Sequence, residues 1–119
     1  PAGCGGGNLC FWTGYSASGD PGELSGRNAS WGAFSRSGCP SGTWNNCASY
    51  LYNNGNSCDS VTWDGTSYTY GSAGALVLPR NQGYSLSGDS LDNAISSNSW
   101  VRPGYPFQTS SSCGGPALY

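Results

Sequence analysis

The sequence predicts an all-β domain made of two similar units that are packed together and stapled by disulfides. Three observations carry this. A short phrase occurs twice, as Asn45-Asn46-Cys47-Ala48-Ser49-Tyr50 and as Asp92-Asn93-Ala94-Ile95-Ser96-Ser97. Each copy sets two Asn or Asp side chains before two small or apolar residues and a Ser, then runs into a strand-like stretch ending in an aromatic, Tyr50-Leu51-Tyr52 or Asn98-Ser99-Trp100. Repetition at that distance in 119 residues marks two units of about fifty residues each. Next, 20 Gly with many Ser and Asn favour short strands and tight turns, and no segment carries helical periodicity. Finally, six Cys in so small a chain supply the covalent support that a thin core needs.

The elements follow in order. Leu9 to Tyr15 reads as a first strand, and Asp20-Pro21-Gly22 as a turn. Trp31 to Phe34 is a short strand or one helical turn, and Ser37 to Gly42 is loop. Trp44 to Tyr52 carries the first phrase. Asn53-Asn54-Gly55-Asn56 is the clearest turn, its Asn-Gly favouring positive φ. Val61-Thr62-Trp63 opens the second unit, and Thr66 to Tyr70 is rich in β-formers. Ala75 to Leu78, the most apolar run, is expected as the central strand, and Leu91 to Val101 carries the second phrase. Residues 1–119 thus read as a single domain, with a first unit about 9–54, a second about 57–101, and a Pro/Gly/Ser tail over 102–119.

Composition narrows the function. Five Trp and eight Tyr stand in for scarce aliphatics, so much of the aromatic surface must be core. Four Arg, no Lys and a net charge of −2 provide no basic patch for nucleic acid. No apolar stretch reaches membrane-spanning length. The cysteines point to an oxidising compartment, and with a start at Pro1 the chain reads as a mature secreted, extracellular protein, a monomer. Without His or a Cys-x-x-Cys, a cysteine metal site is the weaker alternative. Cys4 and Cys10 enclose a tight Gly-rich loop and are expected to pair. For the others, Cys39 with Cys47 and Cys58 with Cys113 is preferred among pairings that the sequence leaves open.

The opening Cys4-Gly5-Gly6-Gly7-Asn8-Leu9-Cys10-Phe11-Trp12, the two phrases, and an aromatic followed at a distance by Gly in each unit (Trp12 to Gly19, Trp63 to Gly71) resemble the βγ-crystallin-like superfamily. The likeness is to its secreted bacterial peptidase-inhibitor branch, that of the Streptomyces metalloproteinase inhibitor. The phrases are similar to the calcium motif of that superfamily, two Asn/Asp, two variable residues, then Ser/Thr-Ser. The second copy fits throughout, whereas the first has Cys47 at its third position and Tyr50 where Ser belongs. The resemblance implies two Greek-key motifs packed as a βγ-crystallin-like β-sandwich. It also implies two Ca²⁺ sites, each built from one phrase and the Ser of the other, with Asn45, Asn46, Ser49, Asp92, Asn93 and Ser96 as ligands. A single carboxylate, Asp92, among these six predicts weak binding, suited to extracellular calcium.

An enzyme is poorly supported. Ser-His triads are excluded, and nothing places two of the six carboxylates (Asp20, Glu23, Asp59, Asp64, Asp89, Asp92) at one cleft. The leading expectation, by resemblance, is a non-catalytic peptidase inhibitor. Its inhibitory loop would lie in Cys58, Asp59, Ser60 and Val61, after an exposed turn, or near Cys39–Cys47, because such a loop must be rigid and accessible. The alternatives are a glycan- or cell-wall-binding antimicrobial using rings such as Trp31, Trp44, Tyr52, Tyr68, Tyr70, Tyr84 and Tyr105, and a calcium-stabilised structural domain. The expected partner is an extracellular peptidase or a cell-wall glycan.

Overall fold

The computed structural model describes residues 2–103. Seven strands form two antiparallel sheets: β1 (Asn8–Trp12), β2 (Gly22–Leu24), β3 (Tyr50–Asn54), β4 (Asp59–Trp63), β5 (Ala75–Leu78), β6 (Gly83–Ser85) and β7 (Ser97–Val101). The first sheet has the order β2-β1-β3-β6 and the second β5-β4-β7. A single 3-10 turn, Trp31–Ala33, is the only helical element among the described residues.

The sheets do not coincide with the two sequence units. Strand β6, from the second half, pairs with β3 of the first, in the register Tyr50↔Ser85, Leu51↔Tyr84, Tyr52↔Gly83. In return Asn28, from the first half, forms an antiparallel bridge to Asn98 on β7. Each half therefore lends backbone to the sheet of the other.

The main core lies between the sheets and is aromatic. Phe11 stacks on Trp31 with centroids 4.3 Å apart and meets Trp44 edge-on at 4.7 Å. Leu9, Leu51, Leu86, Leu91 and Ile95 complete it, each at most 2% exposed. Trp31 satisfies its indole N–H on Asn98 Oδ1 at 2.8 Å, as a buried donor must. A smaller cluster, Val61, Trp63 and Val101, packs with Tyr68, Ala75 and Val77.

Several expectations are corrected. Strand β1 ends at Trp12, short of Tyr15, whereas β3 begins at Tyr50 as expected and runs on to Asn54. Asn53 and Asn54 belong to β3, and positive φ appears instead at Asn81 (φ 60°). Asn53 is fully buried because it knits three segments: its Oδ1 accepts from Gly55 N–H at 2.8 Å and its Nδ2 donates to the carbonyls of Cys58 and Leu78. The central strand is β4, and the more apolar β5 is an edge. A strand paired on both sides and covered on both faces can be rich in Ser and Thr when their hydroxyls stay close to backbone acceptors, as Ser60 does with Leu78 O.

Cys4 is bonded to Cys10 and Cys39 to Cys47. Cys58 is disulfide-bonded as well, and its expected partner, Cys113, lies outside the described residues, like most of the tail. Each bridge stabilises by ~2–4 kcal/mol, mainly by restricting the unfolded chain.

Gly22 on β2 has no room for a side chain, because a Cβ there would overlap the ring of Phe11. Gly22→Ala should therefore destabilise the domain by about 1–3 kcal/mol, through displacement of Phe11 from its aromatic stack. Gly26→Ala, where a Cβ meets open space, should change little. Chemical denaturation of both variants checks this, and equal midpoints would show that the Phe11 packing is not limiting.

Candidate functional site

The two phrases meet where the halves of the chain abut, and each is folded by the other. Asn46 and its counterpart Asn93 both take the left-handed conformation (φ 58° and 55°), which Asn tolerates better than other residues with a Cβ. That turn aims each backbone N–H across the interface. Asn46 N–H donates to Ile95 C=O at 3.0 Å, and Asn93 N–H donates to Ala48 C=O at 3.1 Å. The next layer repeats the relation. Ser49 N–H donates to Trp12 C=O at 2.9 Å and Ser96 N–H to Trp63 C=O at 2.8 Å, while Leu86 N–H and Trp31 N–H donate to the carbonyls of Ser49 and Ser96, both at 2.8 Å. These matched bonds are the signature of a pseudo-twofold axis between the phrases.

The side chains form two oxygen clusters. In one, the Ser49 hydroxyl donates to Asp92 Oδ1 at 2.6 Å and lies 3.2 Å from Asn93 Oδ1. In the other, the Ser96 hydroxyl donates to Asn46 Oδ1 at 3.3 Å. Asn45, the counterpart of Asp92, leaves its Oδ1 buried with no hydrogen-bond partner. Five of the six residues singled out in the phrases thus come together, each cluster taking its Ser from the opposite phrase, while Asn45 lies next to Asn46 in the chain with its backbone N–H on Thr43 Oγ1. Of the acceptor oxygens in these six residues, Asn45 Oδ1 is the one that is buried and left without a donor. Among the described residues, no three His, Cys, Asp or Glu side chains gather as a metal site, so any ion here would rest mainly on amide and hydroxyl oxygen.

Sequence reasoning missed Tyr15. Its phenol donates to Asp92 Oδ2 at 2.5 Å, across 77 residues of chain. Ionising that phenol beside the carboxylate would lose the bond and bring two negative charges together, so its pKa is raised. Tyr84 is arranged in the same way, donating to Asp89 Oδ2 at 3.0 Å, and its pKa is raised for the same reason. The Tyr84 contact is local, from β6 to the turn that follows it, whereas no local sequence signal announces the contact of Tyr15 with Asp92.

The segment Cys58, Asp59, Ser60 and Val61, expected as an exposed inhibitory loop, is not one. Asp59 to Val61 lie in β4, at most 8% exposed, and are paired to Val101, Trp100 and Ser99 on one side, with Ser60 and Val61 also paired to Leu78 and Val77 on the other. The turn before it is real, but the Val-Thr-Trp run that follows extends the strand backwards through Asp59. The alternative loop near Cys39–Cys47 is exposed at Ser37, Gly38, Pro40, Ser41 and Gly42. It is closed by bonds from Arg36 N–H to Gly42 C=O and from Gly42 N–H to Cys39 C=O, while Arg36 lies over Trp44 at 4.9 Å. Of the rings considered for glycan binding, Trp31 and Trp44 are core, Tyr52 and Tyr68 are half-buried, and Tyr70 and Tyr84 are exposed; Tyr105 lies outside the described residues. Glu23 and Asp64 are engaged in loops, Glu23 by Gly5 N–H and Asp64 by Gly71 and Ala73 N–H. No helix among the described residues is long and apolar enough to cross a membrane.

Two outcomes follow. Asn93→Ala should cost about 1–2 kcal/mol in unfolding free energy, because alanine resists positive φ, and Asn93→Gly should cost less although it too lacks the amide. Equal losses would assign the effect to the side-chain oxygen instead. The Tyr84–Asp89 bond should contribute stability below pH ~10, where the phenol is protonated both folded and unfolded, and lose it as pH rises through the higher folded-state pKa. Melting curves of wild type and Tyr84→Phe should therefore converge in alkali; a gap that persists there would contradict this assignment.

No family model matches the chain, and no curated protein matches it. Among solved structures, it is similar to a domain from work on the evolution of the eye-lens βγ-crystallin domain fold. The two share 16% sequence identity and a TM-score of 0.66, over 86% of this chain and 93% of that one. With two interlocked antiparallel sheets and a pseudo-twofold between its phrases, this chain has the βγ-crystallin fold.

Proposed function

We propose that this protein is a non-catalytic, calcium-binding βγ-crystallin-fold domain that works outside the cell and is braced by weakly bound Ca²⁺ at the junction of its two halves. The observation that carries the reading is the pair of reciprocal oxygen clusters across the junction, together with the buried, unpartnered Oδ1 of the neighbouring Asn45. Ca²⁺ is a hard cation that takes six to eight oxygen ligands, so carboxylate, amide and hydroxyl donors of this kind suit it. Asp92, Asn93 and Ser49 would hold one ion, and Asn45, Asn46 and Ser96 the other. Bound there, calcium would join the two phrases and add to the backbone bonds that already cross the junction. With one carboxylate between them, the sites belong to the weak, extracellular range of affinity, about 10⁻⁴–10⁻³ M. The disulfides agree with an oxidising, extracellular setting.

Peptidase inhibition is the second reading, and the exposed, disulfide-anchored loop Arg36–Gly42 is the feature that favours it. That loop is tied off by its own hydrogen bonds, which gives rigidity but not the extended backbone a peptidase cleft accepts. Glycan binding has less support, since Tyr15 and Tyr84 hold their phenols on carboxylates and Tyr70 stacks on Trp63.

Adding millimolar Ca²⁺ should raise the melting midpoint, and a chelator should reverse the rise. A ligand at 100 times its dissociation constant adds about 2.7 kcal/mol per site, and at these affinities the gain should be smaller. Asp92→Asn should remove most of the effect. No shift with either calcium or chelator would reduce the phrases to turn chemistry. A panel of metallo-, cysteine and serine peptidases, with Arg36→Ala as the loop variant, tests the second reading, and no inhibition of any class would remove it.

A further inference from the structure

The two clusters differ in how their first acidic or amide position is satisfied. Asn45 Oδ1 has no partner, whereas both oxygens of Asp92 carry a hydroxyl, Ser49 on Oδ1 and Tyr15 on Oδ2. These two donors are not equivalent. A serine hydroxyl can turn its proton away and offer its oxygen to a cation. A phenol oxygen shares its lone pairs with the ring and is a poor ligand, so for as long as it donates to Asp92 it occupies a site that a cation would use. Tyr15 stands just past the end of β1, beside Gly14, and its side chain is 53% exposed, so it has room to swing away. At the other phrase no hydroxyl reaches the corresponding oxygen, since Asn45 Oδ1 is buried without a hydrogen-bond partner. The plug therefore belongs to one half alone.

Resting on the calcium reading above, we propose that Tyr15 is a built-in competitor for the cation at Asp92. Its phenol fills the carboxylate while no ion is bound and must leave before Ca²⁺ can use both oxygens. Tyr15 is thus a residue that sets affinity and not a ligand. It stabilises the cation-free protein, as a hydrogen bond to a charged group does, and lowers the affinity of the charged site by the same amount. Because the contact is exposed, the effect should be modest, about three- to tenfold in dissociation constant.

The test compares the full chain with Tyr15→Phe and Tyr15→Ser by calorimetric titration with CaCl₂, by thermal melting in chelator and in saturating Ca²⁺, and by NMR of the Tyr15 ring in wild type. Both variants should bind Ca²⁺ about three- to tenfold more tightly. They should melt below wild type in chelator, with the gap closing in calcium. The Tyr15 ring signals should move along the same binding curve as the heat. Unchanged or weaker affinity in both variants, or ring signals that stay still while wild type binds, would overturn the competitor role and leave the calcium site standing. If neither wild type nor the variants bind, while all remain folded, the calcium reading falls and the competitor role with it.

Discussion

The fold depends on two backbone hydrogen bonds made in opposite directions across the junction of the halves, Asn46 to Ile95 and Asn93 to Ala48. Each needs a residue in the left-handed conformation, and each is met by an Asn. Neither half can form its bond alone, since donor and acceptor come from different phrases. The same holds for the exchange of β6 and the Asn28 bridge. A unit of about fifty residues would expose those backbone groups and half of an aromatic core, and neither loss is affordable in so small a module. The interlock makes the two halves one body and not two beads.

The aromatic core follows from the same constraint. With few aliphatic residues, the space between sheets is filled by rings whose shapes must match. Phe11 is held between the face of Trp31 and the edge of Trp44, and the glycine on β2 lets it lie flat. Trp31 also donates to Asn98, on the strand that receives the Asn28 bridge, so one residue couples core packing to the strand exchange. Packing and pairing are therefore fixed together, which suits a chain whose hydrophobic burial alone is thin.

Much of this was legible in the sequence, for physical reasons that can be traced. The duplicated phrase signalled the pseudo-twofold because left-handed turns and cross-junction hydroxyls demand particular residue types, and those types recur at Asn46 and Asn93, Ser49 and Ser96. The Cys4–Cys10 bridge was legible because it closes a short Gly-rich loop, and Cys39–Cys47 is the pairing preferred among those the sequence leaves open. What stayed hidden was long-range. The centrality of β4 comes from pairing on both flanks, which Asp59-Ser60 does not advertise, and so an intended exposed loop proved to be buried strand. Tyr15 reaching Asp92 is likewise a product of the assembled fold, with no motif to reveal it.

The two phrases differ in how each is held. The first carries Cys47 at its third position, bonded to Cys39, so a covalent link fixes the turn from outside and its cluster stays uncharged. The second has Ala94 there and no link, but it has Asp92, whose charge draws in Ser49 from across the junction and Tyr15 from the end of β1. A disulfide restricts the unfolded chain whether or not a cation is present, whereas a carboxylate restrains its turn only through the partners it attracts. The first turn is thus held by a covalent link and the second by hydrogen bonds to its carboxylate. Any effect of calcium on this domain should therefore be concentrated in the half that holds Asp92, where the charge lies and where no covalent bond has already done the ordering.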